Sequence, residues 1–434
     1  MTIFSIIPNS DTLEVRTEEG GLIRSGRAGR DDAELLQQAV DGMPEGGEIR
    51  LRTGRYVLDR PVRINVPVTI TGEGRGTEVV PPPGDFAFRI QYDGKCPDRC
   101  RSNFDTPKHA PAGKTWDDVR QRAPRLHGVV MRNFAIKGAK SGKGIYLATL
   151  TESSFRDLWI MSTYDGAGLY FQEEVMECVF EHIHITNCGS AESKEAALTI
   201  RSQVGDACNN LHFRDIYVIF PQYMGIEIGC EGYPSHPRLL WCEQVMVHGW
   251  HAMVGPAPYD LVRINKTDAF RGIFFRGCRI TNSGPESTYF HARQGLVTLT
   301  DSVLGGGRGR RLLYMGEGAR LQASRNIFHG TADLAVLMEA EKAEIIFKDN
   351  DIDLAADGGF QSRSDFQAVL DLRDVRLSQI KDNRFYLAGH KPVIRLRQPE
   401  ESSGAAERDA DRQVTVSGNM LTGTDGCVCD GEQE

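Results

Sequence analysis

The sequence predicts an all-β chain wound as a right-handed parallel β-helix, a single-stranded solenoid of about eleven coils with a helix capping its N-terminal end. Three observations predict it. A six-residue motif returns every 24 to 36 residues, an alternating strand lies between its copies, and the stretch ahead of the repeats reads as an amphipathic helix followed by Gly-marked turns.

The motif runs apolar, two polar residues, apolar or Asn, any residue, apolar. It reads MRNFAI at Met131, FRDLWI at Phe155, FEHIHI at Phe180, FRDIYV at Phe213, CEQVMV at Cys242, FRGCRI at Phe275, FKDNDI at Phe347, IKDNRF at Ile380 and VSGNML at Val416. That spacing is too short for an independent domain and fits one coil of a solenoid with loops of variable length. Phe155, Phe180, Phe213 and Phe275 share its first position and are expected to stack along the interior. Asn350, Asn383 and Asn419, with Asn326, fall at one repeated corner. A column of Asn there hydrogen-bonds from coil to coil and satisfies turn backbone, a structural role.

The alternating strand reads GIYLA at Gly144, GLYFQ at Gly168, ALTIR at Ala197, GIEIG at Gly225, LVRIN at Leu261, YFHAR at Tyr289, LLYMG at Leu312, VLDLR at Val369 and VIRLR at Val393. Period two buries one face and leaves the other wet, so stacked coils share a continuous aliphatic core.

Ahead of the repeats, Leu35, Leu36 and Val40 give residues 32–42 an apolar helical face, and Asp31 with Glu34 makes a capping-box-like start. Such a helix plugs the open end of a solenoid. The order Asp31 and Asp32, Gln38 to Val40, Gly46 and Gly47, Gly54 to Tyr56, then Gly72 to Gly76 resembles the opening segment of pectate-lyase-like proteins of the pectin lyase superfamily. The resemblance covers residues 26–80 by motif and the remainder by repeat pattern. It implies the parallel β-helix fold, and a superfamily of polysaccharide lyases, glycoside hydrolases, epimerases and tailspikes, among which fold does not choose. Gly72 to Gly76 is a turn and not a dinucleotide loop, because no βαβ context follows. The chain then divides into an N-terminal extension (1–25), a cap with the first coils (26–125), the β-helix (126–425) and a C-terminal tail (426–434).

A formal charge of -8 and pI near 5.8 argue against a nucleic-acid partner. No apolar run reaches the length of about 18 residues that a membrane span needs. The N-terminus lacks the basic and apolar regions of an export signal, which leaves the compartment open between cytoplasm and secretion with a signal removed. Ten scattered cysteines do not suggest a disulfide framework. Cys96 with Cys100, and Cys427 with Cys429, have spacings unspecific for zinc or bridges, while Cys178, Cys242 and Cys278 sit at strand core positions.

In that superfamily the Asn corner separates the second and third strands of a coil and substrate lies along the first-strand sheet. The resemblance therefore implies that the alternating series faces the ligand, a polysaccharide or oligosaccharide. Aligned, it offers one outward column of Tyr146, Tyr170, Thr199, Glu227, Arg263, His291 and Tyr314, and a second of Gln172, Arg201, Asn265 and Arg293. Glu227, Arg263 and His291 are the candidate catalytic residues, because a base, a cation and an acid are what acid-base work on a sugar requires. They are expected in one open groove. Nearby loops add Glu231, Tyr233, His236, Trp241, Trp250, His251, Tyr259, Lys266 and Asp268, of which Tyr233 and Trp250 offer rings for sugar faces. The substrate-binding set is then Tyr146, Tyr170, Arg201, Glu231, Tyr233, His236, Trp250, Asn265, Lys266, Asp268, Arg293 and Tyr314. Trp241 reads as a packed strand residue, and His182 with His184 as solvated on another sheet.

Three mechanisms stay open. The first is β-elimination on a uronate glycan, with Arg263 or His291 as base. The second is hydrolysis or transfer by Glu227 with Glu231 or Asp268 as the paired carboxylates. The third is a non-catalytic glycan-binding, tailspike-like protein, which would be a homotrimer, with Glu227 and Arg263 merely paired. No cofactor or metal is indicated. Calcium would need more carboxylates than the one in the column.

Overall fold

Residues in the left-handed region mark the corners at which the chain bends back on itself. One residue near φ +50° precedes a buried side chain, as in Asp157, His182 and Asp215 before Leu158, Ile183 and Ile216, and in Asp349 and Asp382 before Asn350 and Asn383. Asp and Asn tolerate this region best among residues with a side chain, which accounts for the polar residue at the third motif position.

The computed structural model describes residues 2–92, 125–202, 208–229, 236–249, 259–354, 366, 368–387, 393–397, 414–422 and 429–430. They form two units, Met1–Tyr223 with Gly232–Pro237, and Met224–Glu231 with Arg238–Glu434. Each is built as a parallel β-helix, with the right-handed winding that parallel crossovers adopt.

In the first unit the alternating strands Phe86–Gln91, Lys143–Thr151, Leu169–Met176 and Leu198–Ile200 pair in parallel, each with the next. The motif strands Val130–Lys137, Ser154–Met161, Val179–Thr186 and Asn209–Ile219 do likewise, so that Met131, Phe155, Phe180 and Phe213 are register partners. Phe155 stacks on Phe180 at 4.9 Å and Phe180 on Phe213 at 5.1 Å. Phe275 belongs to the other unit, where its partners are Cys242 and Leu299 and its ring meets Phe290 edge-on at 5.0 Å. His182 is exposed, whereas His184 is half-buried between Trp159 and Tyr217, at 6.4 and 4.6 Å. Burial, then Arg75 and His182, lowers the pKa of His184.

The N-terminal residues, expected as an extension, form strands. β1 (Thr2–Pro8), β2 (Thr12–Thr17) and β3 (Leu22–Arg27) form an antiparallel meander, and β1 also pairs in parallel with β4 (Gly47–Leu51). Between β3 and β4 runs α1 (Asp32–Asp41), which buries Leu35, Leu36 and Val40. The expected capping box does not form. Asp31 accepts from Arg27 N, Asp32 accepts from Gly29 N and Val57 N, and Glu34 pairs with Gln38 and Arg60. Asp31 and Asp32 thus tie the helix start to neighbouring segments, and Glu34 joins Gln38 of the helix to Arg60.

In the second unit three strand series stack. The Asn corner forms a ladder: Asn350 Oδ1 accepts from both the backbone N and Nδ2 of Asn326, each at 3.0 Å. Asn383 does the same for Asn350, and Asn419 for Asn383. Each Nδ2 also donates to a backbone carbonyl, so buried amides that would be costly alone are all paired. Cys242 and Cys278 are buried free thiols here, as are Cys178, Cys188 and Cys208 in the first unit. Cys96, Cys100 and Cys427 lie outside the described residues, and of the Cys429 side chain nothing is described.

Candidate active site

The second unit sets Glu227, Arg263, His291 and Tyr314 opposite one another on successive strands, Ile226–Ile228, Val262–Ile264, Thr288–Ala292 and Arg311–Met315. Their flanking residues explain it. Ile226, Ile228, Val262, Ile264, Phe290 and Ala292 are buried, and alternation turns the residue between them away from the core. Adjacent members of such a column stand about 4.8 Å apart in backbone spacing. The column continues through Glu339 and Asp371 to Arg395, positions the sequence alignment left out.

An aspartate off the column organises it. Asp260 lies just before the strand of Arg263 and is 5% exposed. Its Oδ2 accepts from His291 Nδ1 at 2.7 Å and from Arg263 Nε at 2.8 Å. Burial alone would raise its pKa, but the bond and charge of His291, with those of Arg263, hold it below the usual carboxylate value. Ionised, Asp260 can only accept, so the proton between them sits on Nδ1. His291 Nε2 is the remaining ring nitrogen. It is shut off from solvent and has no hydrogen-bond partner among the described residues.

Tyr314 covers the imidazole edge-on, with ring centroids 4.7 Å apart. Burial, then the charges of Glu341 and Glu339, raises the pKa of its phenol, against Arg311 and Arg293. The phenol is therefore neutral, a proton donor. The Arg311 guanidinium lies 4.8 Å from the Tyr314 ring centroid and bonds Glu339 at 2.7 Å.

Glu227 does not stand in an open groove. It is 6% exposed, and Asn265 Nδ2 donates to its Oε1 and to Gly229 O, each at 3.1 Å. Gly229 takes φ +76°, and a Cβ there would meet Lys266 O at 2.5 Å, so only glycine fits under the turn that holds Asn265. Asp268 caps its own loop: Oδ1 accepts from Phe270 N and Arg271 N, both at 2.8 Å. Lys266 and Arg293 are half-buried beside the column.

The other sequence-nominated residues fall elsewhere. Tyr146 and Tyr170 stack on each other at 5.8 Å in the first unit, and burial pushes the Tyr170 phenol up to about 12. In that unit also, Arg201 donates to Lys194 O and His236 is half-buried. Trp241 stacks on Phe274 at 4.3 Å on the second sheet of the other unit. Glu231, Tyr233, Trp250 and His251 lie outside the described residues. Asp260 was missed because it precedes the strand and obeys no alternation; its only signal is an Asp opening the strand next to the one that carries His291. Among the described residues no three His, Cys, Asp or Glu gather as metal ligands, and no helix is long and apolar enough to cross a membrane.

The sequence matches no protein-family model and no curated protein. Its fold is similar to solved structures. The A-module of the mannuronan C-5 epimerase AlgE4 of Azotobacter vinelandii gives a TM-score of 0.51 at 12% identity, covering 92% of this chain and 94% of that one. PfbA, a surface adhesin of Streptococcus pneumoniae, gives 0.49 at 11%, over 93% and 89%. ORF18 of Geobacillus virus E2 gives 0.41 at 12%, over 92% of this chain and 59% of that one, so the chain spans about three fifths of that protein's length. Likeness at these identities is likeness of fold, the right-handed parallel β-helix.

Proposed function

We propose that the chain is a carbohydrate-active enzyme that cleaves a uronate-containing poly- or oligosaccharide by β-elimination, with His291 as the base. The observation that carries this reading is the Asp260–His291 pair, a buried ionised carboxylate at 2.7 Å from Nδ1 and an Nε2 with no partner among the described residues. A buried nitrogen without a partner calls for an explanation, and a base held for a ligand is one.

In this reading Nε2 takes the proton on the carbon next to the uronate carboxylate. The electron pair moves into the carboxylate as an enolate, which the Arg263 cation steadies. Collapse of the enolate forms the carbon–carbon double bond and breaks the C–O bond at the β carbon. The leaving oxygen takes the Tyr314 hydroxyl proton, and the cycle closes when His291 gives its proton to water and the Tyr314 phenolate takes one back from water. Asp260 keeps the ring oriented and stabilises the imidazolium. Hydrolysis by two carboxylates has less support, since Asp268 is spent on its own loop and Glu227 is buried against Asn265. The name mannuronan C-5 epimerase, carried by one structure of similar fold, describes an enzyme working at a uronan carbon.

A second reading has one observation in its favour: Nε2 and Glu227 are covered, so the cluster would tie coils together in a glycan-binding protein that cleaves nothing. A panel of polysaccharides, followed by the absorbance of unsaturated uronates and by reducing ends, separates the outcomes. Signal in both supports elimination. Reducing ends alone mean hydrolysis, and silence in both with retained binding favours the second reading.

A further inference from the structure

Phe270 is the most exposed large apolar side chain among the described residues, at 82%, and it stands on a loop that is anything but loose. The loop joins the strand of Arg263 to Ile273–Arg276. Asp268 Oδ1 takes the amide protons of Phe270 and Arg271; Arg320 Nη1 donates to Ala269 O at 3.2 Å, and Arg320 is itself held by Glu344 at 2.7 Å. The backbone is also bonded on both sides, Leu296 N to Asp268 O at 3.1 Å and Leu239 N to Arg271 O at 2.9 Å. Its root is Asn265, which grips Glu227. Isolated exposed apolar residues are ordinary on protein surfaces. A backbone pinned at this many points with its one aromatic ring left in water is different, because a ring that only needed burial would fold down. Beside it Arg271 shows 58% of its side chain and, among the described residues, spends a 3.5 Å contact on Asp268.

We infer that Phe270 and Arg271 form a sugar-binding subsite flanking the candidate active site. The ring takes the C–H face of a pyranose, and the guanidinium pairs with that sugar's carboxylate. The inference rests on the reading of the site as acting on an acidic glycan. It commits to a uronate residue of the same polymer as the occupant.

The test uses Phe270→Ala, Phe270→Trp and Phe270→Leu in the full chain, with alginate, polygalacturonate and heparosan as probes. KM and kcat are measured, together with retardation in gels containing each polymer, which needs no turnover. The expected result for Phe270→Ala is an affinity loss of about threefold to tenfold, the scale of one aromatic contact. KM rises in step and kcat stays within about twofold. Tryptophan restores affinity and leucine, equally apolar but ringless, does not. Unchanged affinity in Phe270→Ala, full rescue by leucine, or no retardation of the wild type by any of the three overturns the inference. So does a change of sedimentation in Phe270→Ala with affinity intact, which would make the ring a contact between copies. A wild type that is retarded and loses retardation in Phe270→Ala, yet turns over nothing, overturns the lyase reading and keeps the subsite.

Discussion

Each unit carries an outward column on its alternating strands, and the two columns do different work. In the first unit Arg89, Tyr146, Tyr170 and Thr199 are register partners. Tyr146 and Tyr170 stack, Phe86 meets both at 5.5 and 5.7 Å, and Arg89 lies 5.0 Å from the Tyr146 ring centroid. Thr199 bonds its own turn through Ala196 O. In the second unit the same register holds Glu227, Arg263, His291 and Tyr314, and a neighbour from outside the alternation, Asp260, bonds two of them at once. A column position turns a side chain outward, and an off-column acid ties two of them together. The first column is accordingly an aromatic seam and the second a candidate for proton transfer.

The largest effect should come from His291→Ala, which lowers turnover of a uronan by about a thousandfold, within the range for a positioned base, while Tyr146→Ala changes it less than twofold. Comparable losses in the two variants would erase the distinction between the columns. Asp260→Asn should cost about a hundredfold by leaving the imidazole without its ionised partner. It also has a signature in pH. Because the folded Asp260 carboxyl titrates below its usual range, the stability it lends is complete above about pH 4, the ordinary value in an unfolded chain, and is lost as pH falls through the lower folded value. Denaturant midpoints of wild type and Asp260→Asn should therefore differ at pH 6 and converge in strong acid; a gap that persists there would mean that the ionised form is not what matters.

Two smaller effects concern structure alone. Asn350→Ala leaves the Asn326 amide groups without their shared acceptor and should cost about 1 to 3 kcal/mol in chemical unfolding with turnover intact. Tyr170→Leu removes one stacked pair and should cost only about 0.5 to 1.5 kcal/mol. A Tyr170 variant that kept its stability but lost activity would move the site to the first unit.

Much of this was legible in the sequence. The motif gave the stacking of Phe155, Phe180 and Phe213, and the alternating strands gave the register of Glu227 with Arg263 and His291, because burial of every second residue leaves no other choice. The Asn ladder followed from one recurring letter. The meander of β1 to β3 was not legible, since its strands are short and its pairing is antiparallel in a chain whose repeats speak only of parallel stacking. Nor was the covering of Glu227, which depends on where Asn265 points, or the role of Asp260, which depends on a contact between neighbouring strands and not on spacing along either.

The central claim is that Asp260 and His291 together remove a carbon-bound proton. Incubating uronans in deuterium oxide and following the hydrogen next to the carboxylate by NMR tests it whether the intermediate eliminates or is reprotonated. Wild type should lose that signal, either to an unsaturated product or to exchange, with Asp260→Asn slower by about a hundredfold and His291→Ala by about a thousandfold. Chain cleavage with that hydrogen retained, or loss of it at an equal rate in all three proteins, would contradict the account.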